Sequence, residues 1–135
     1  MNDREITKKL EEMEAITREK PESLSKDDFD FAVQFITDGN NAQKRESSRI
    51  VGNVAAVFPD EMDKIIPKLL LNTKDDGTVI RWSAAYALGR IIATPKYAKS
   101  DLFGKVTKLA AVETENGIKN QYLVGLKKAE KQRGK

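Results

Sequence analysis

Neither cysteine nor histidine occurs in this chain, and each absence closes off a class of chemistry. Without thiols there is no disulfide framework and no thiolate nucleophile, which agrees with a reducing compartment. Without imidazole there is no histidine base to activate a serine, cysteine or threonine, and no histidine ligand for a metal. Long apolar runs are missing too. No stretch reaches the ~18 residues of a membrane span and no charged-then-apolar leader opens the chain, so cytoplasmic residence without membrane insertion is expected. The 8 glycines are scattered rather than gathered into a phosphate-cradling loop.

What the chain does have is helical periodicity. Its 135 residues, 39% of them hydrophobic, suit one domain with its own core. Within residues 61–92, Ile65, Ile66, Leu69 and Leu70 mark one apolar helical face. Ile80, Ala84, Ala87, Leu88 and Ile91 mark a second. Lys74, Asp75, Asp76 and Gly77 between them have the composition of a tight turn. Two amphipathic helices joined this closely should lie antiparallel as a hairpin.

The pattern recurs on both sides. Ser47, Ile50, Val51 and Val54 precede Ala84, Ala87, Leu88 and Ile91 by 37 residues, and Gly52 precedes Gly89 by the same step. Ile118, Tyr122, Gly125, Leu126 and Ala129 follow Ile80, Ala84, Ala87, Leu88 and Ile91 at an offset of 38. A two-helix unit repeated at this period is the signature of a solenoid. The expected fold is all-α: a short α-solenoid (α-α superhelix) of about three antiparallel helical hairpins, with an additional N-terminal helix.

Residues 65–91 resemble a HEAT repeat, and also the HEAT-like repeats of the phycobilisome-lyase type. The resemblance rests on the Ile66-Pro67 step, the Leu69-Leu70 pair, Asp75 in the turn, Arg81, Ala84-Ala85, and Leu88-Gly89 followed by Ile91. It extends over about residues 24–132 with weaker motifs on the flanks: Lys44 and Lys119 stand at the place of Arg81, and Lys127 at that of Gly89. It implies an armadillo-type scaffold that binds rather than catalyses. For Asp75 and Arg81 it implies a structural pairing along the stack, with Gly77 and Pro67 as further structural positions.

Residues 1–23 are read as a charged helix that caps the stack or is partly disordered. Residues 24–135 are read as the repeat domain, with units at about 24–59, 60–95 and 96–132. Ser25 is expected to cap the first helix of that domain, and Asp60 the first helix of the second unit. The return helix of the first unit is expected to run along residues 43–58, and Pro67 to bend or divide its own helix. Residues 1–23 carry 7 acids and 5 bases, residues 24–116 carry 13 of each, and residues 117–135 carry 6 bases against 1 acid. The basic character therefore sits in the last helix.

Three classes of function compete. A scaffold or adaptor binding a protein partner would use Trp82, Tyr86, Arg45, Arg49 and Arg90, since aromatics and arginines make good anchors. Trp82 and Tyr86 lie off the main apolar stripe, either packed on the adjacent repeat or exposed. Nucleic-acid backbone binding would use Lys44, Arg45, Arg81, Lys119, Lys127, Lys128, Lys131 and Arg133. A carboxylate- or metal-dependent enzyme would need Asp27-Asp28-Asp30 or Asp60-Glu61-Asp63, yet both clusters fall at helix starts, where the dipole accounts for them. No cofactor is expected, and self-association through the repeat ends is a further expectation.

Overall fold

Polar caps set where the helices begin. Asn2 accepts from the Glu5 amide at 2.9 Å while the Glu5 carboxylate takes the Asn2 amide, opening α1 (Asp3–Glu19). Ser25 accepts from the Asp28 amide at 3.1 Å at the head of α2 (Lys26–Val33). After the short α3 (Phe35–Asp38), Asn40 and Gln43 form a second reciprocal cap for α4 (Asn41–Asn53). The rest of the computed structural model, which describes all 135 residues, comprises α5 (Met62–Asn72), α6 (Thr78–Ile92), α7 (Pro95–Ala98), α8 (Leu102–Val112) and α9 (Asn116–Arg133). Two 3-10 turns, Pro21–Ser23 and Pro59–Glu61, complete it, and there is no strand.

The helices form two layers. α1 packs along α4, α4 along α6, and α6 along α9. On the other side α2 and α3 cover α4, α5 covers α6, and α8 covers α9. This is a short α-solenoid of three hairpins, with α1 adding a fourth member to the second-helix layer. α4, α6 and α9 start at Asn41, Thr78 and Asn116, which reproduces the sequence offsets. Equivalent positions are buried alike: Ser47, Ala84 and Tyr122; Val51, Leu88 and Leu126; Val54, Ile91 and Ala129.

Local departures from the expected helices have physical causes. α4 ends at Asn53, short of Phe58, because Val54 leaves the helical region at φ −108°, ψ 14° after the weak helix formers Gly52 and Asn53. α5 runs undivided through Pro67. Pro67 and Asp63, four residues apart, are both exposed, so the carbonyl deprived of its donor lies on the solvent side, where water replaces the bond. No side chain caps α5; Pro59–Glu61 winds into it as a 3-10 turn instead of Asp60 capping it. The first helix of the first unit is interrupted at Gln34, and the link before α8 contains α7.

Polar bonds between units all reach one neighbour along the chain. Asn72 Nδ2 donates to the Ile36 carbonyl at 2.7 Å across 36 residues, Arg49 to Ser83 across 34, and Arg133 to the Ala98 carbonyl across 35. Tyr97 donates to Asp63 across 34.

Candidate functional site

The turn that begins α6 is fixed from within. Asp75 Oδ1 accepts from the Gly77 amide at 2.8 Å. Arg81 Nη1 donates to the carbonyls of Asp75 (3.2 Å) and Asp76 (3.1 Å). The rest of the guanidinium fork grips Glu113, at the end of α8, through Nε (3.2 Å) and Nη2 (3.3 Å). The pair is largely covered, with side chains 17% and 9% exposed. Arg81 holds the Glu113 carboxyl below its ordinary value of 4.5, against the opposing effect of burial. A depressed carboxyl contributes stability that is complete above its unfolded value and is lost as pH falls through the lower folded one. Arg81→Ala is therefore expected to cost about 1–2 kcal/mol at pH 7. In urea melts followed by circular dichroism, the gap between wild type and Glu113→Gln should close below about pH 4.5. A gap constant with pH would contradict this role.

The aromatic pair lies one turn further along α6. Trp82 and Tyr86 are stacked, with centroids 5.5 Å apart and planes at 7°. Arg49 of α4 lies over Trp82 at 4.8 Å and donates to Ser83 Oγ at 3.0 Å, and Arg90 lies over Tyr86 at 5.6 Å. Arg49, Trp82, Tyr86 and Arg90 thus form a cation–aromatic ladder across the second-helix face. Both rings are half-buried and Arg90 is exposed. Burial lowers Arg49 from its ordinary value, with Glu46 opposing, and raises Glu46, with Arg45 opposing. Arg49 keeps its charge throughout, as guanidinium does in proteins.

Beside the ladder runs a groove of about 460 Å³ between α4, α6 and α9. Tyr86, Arg90, Gln121 and Lys128 line it, together with Gly52, Gly89 and Gly125. A second depression of about 390 Å³ holds Arg49, Val79 and Trp82 on the other side. Asn53 anchors the ladder from behind. Its Nδ2 donates to Glu14 Oε2 (3.0 Å) and Thr17 Oγ1 (3.1 Å) of α1, and its Oδ1 accepts from the Tyr86 hydroxyl. Asn53 and Glu113 escape a reading of the sequence. Asn53 is one polar residue among many beside an apolar stripe, and Glu113 is one acid at a helix end.

The bases of the phosphate-binding alternative are dispersed. Arg45 pairs with Glu46 at 3.1 Å, Arg81 is committed as described, and Arg133 donates to the Ala98 carbonyl at 2.9 Å while lying over Phe103. Lys44 and Lys119 are half-buried, Lys127, Lys128 and Lys131 are exposed, and none of the five forms an ion pair. Most members of the acidic clusters are spread among lysines. Asp28 faces Lys9 at 3.6 Å, Lys26 lies 2.7 Å from Asp30 and 3.5 Å from Glu61, and Asp63 lies 3.6 Å from Lys96. No three acidic residues converge on a point where a metal ion would fit. No helix is long and apolar enough to cross a membrane.

A family model for the ARM repeats of tubulin-specific chaperone D-like proteins matches residues 8–124. No solved structure matches the chain. The matched span runs from within α1 to within α9 and so takes in all three hairpins. With its two-layered helix pairs and near-constant repeat, the chain belongs to the ARM-repeat family of tubulin-specific chaperone D-like proteins.

Proposed function

We propose that this chain is a non-enzymatic adaptor whose second-helix face receives a protein partner along the ladder and the adjoining groove. The observation that carries the proposal is the ordered set Arg49, Trp82, Tyr86 and Arg90, flanked by concave surface on both sides. Aromatics and arginines held in place by neighbours lose little entropy on binding, which is what makes them good anchors. The family is named for a chaperone specific for tubulin, itself a protein, which agrees with a protein partner. Against the phosphate-binding alternative weighs the prior commitment of Arg45, Arg81 and Arg133 to groups of the chain itself.

Trp82 packs against the core as well as against Tyr86, so its removal would lower stability together with affinity. Arg90 is exposed and offers the cleaner test. The full chain, immobilised and exposed to native extract, should retain a protein that the Arg90→Glu variant holds about tenfold more weakly, with unchanged melting. Equal retention by both forms would overturn the assignment of this face. Loss of the retained material on nuclease treatment would favour the nucleic-acid reading.

A further inference from the structure

The first-helix layer, on the opposite side of the molecule, carries a second concave surface. A groove of about 500 Å³ opens between α5 and α8. Leu70 and Leu109, half-buried against the core, form its floor. Leu71 and Val112, 64% and 75% exposed, stand at its edges. These are the most exposed large apolar side chains of the protein after Met1.

The rim is of one sign. Lys74, Lys105 and Lys108 line the groove, and no acidic residue does. Elsewhere in the same layer the lysines are neutralised: Lys26 by Asp30 and Glu61, Lys64 by Glu61, Lys96 by Asp63. The three rim lysines have no such partner. An apolar trough with an uncompensated cationic rim is complementary to a segment with an apolar stripe flanked by carboxylates. The geometry points to the α5/α8 groove as a docking site for an acidic amphipathic peptide segment of a partner protein, separate from the ladder face.

The test uses the full chain, labelled with nitrogen-15, and a synthetic helical peptide of about 14 residues, four turns. The peptide carries leucines four apart on one face and glutamates on its flanks. Its amide shifts should fall on residues 67–74 and 105–112, and binding should weaken as salt rises. Leu71→Ser combined with Val112→Ser should weaken binding about tenfold or more. Lys74→Glu with Lys105→Glu and Lys108→Glu should abolish it, while Arg90→Glu leaves it unchanged. All five positions are on the surface or its rim, and a melt identical to wild type checks each variant. Equal binding of a peptide with lysine in place of glutamate would overturn the proposal, as would shifts confined to α4 and α6. So would flotation with phosphatidylserine vesicles in the absence of peptide binding, or self-association that Leu71→Ser abolishes.

Discussion

Gly125→Ala is expected to remove about 3–4 kcal/mol of stability, a large share of the 5–15 kcal/mol that holds a typical domain. A Cβ built on Gly125 would sit 2.5 Å from the Gly89 Cα and 2.7 Å from its carbonyl carbon. A Cβ on Gly89 would sit 2.6 Å from the Gln121 carbonyl oxygen. The obstacle in each case is backbone, which no rotamer change can move, so α6 and α9 would have to separate along their length. The two glycines are thus required by close approach; neither has a positive φ. Gly104 is the natural control, since a Cβ there meets nothing within 4 Å. It lies near the start of α8 on the exposed side, and Gly104→Ala should gain up to about 1 kcal/mol from helix propensity. Urea unfolding followed at 222 nm separates the two; equal midpoints would show that the α6–α9 contact is looser than described.

Asn53→Ala should cost about 2–3 kcal/mol, because one truncation strands groups on two other helices. It leaves the buried Glu14 carboxylate without the Asn53 donor and the Tyr86 hydroxyl without an acceptor. Arg18 still reaches Glu14 at 3.1 Å, which keeps the loss below that of a fully orphaned buried charge. A double-mutant cycle with Glu14→Gln should return a coupling of about 1 kcal/mol or more, and the Tyr86→Phe cycle a smaller one. Additive losses would mean that the three side chains do not act together.

The repeat was legible in the sequence because buried positions along α4, α6 and α9 keep one spacing, and that spacing survives replacement of Ala84 by Ser47 or Tyr122. Two helix boundaries were not. Val54 and Ala55 stay buried beyond the end of α4, so the apolar pattern continues where the helical backbone has stopped. Pro67 illustrates the reverse: local preference argues for a break, yet Ile65 and Leu69 on either side are fully buried and hold α5 in register. At the ladder, the residue types were readable from composition, since one Trp beside Arg81 and four residues before Tyr86 stands out. What positions them was not. Asn53, Glu14 and Ser83 act through bonds spanning 33 to 39 residues, and no local pattern distinguishes such polar residues from their solvated neighbours.

The polar bonds between units, each reaching about one repeat along the chain, leave the molecule with no strap from end to end. Tension applied along the stack would therefore load the seams in series, and the weakest would part while the others stayed closed. The seam between α6 and α9 rests on two apposed glycines, whereas α4 is tied to its neighbours through Asn53, Gln43 and Arg49. Under load, α8 and α9 should peel away first, leaving α1 to α6 as a shorter intact rod, so the protein yields as a ratchet of hinged plates does rather than by shattering.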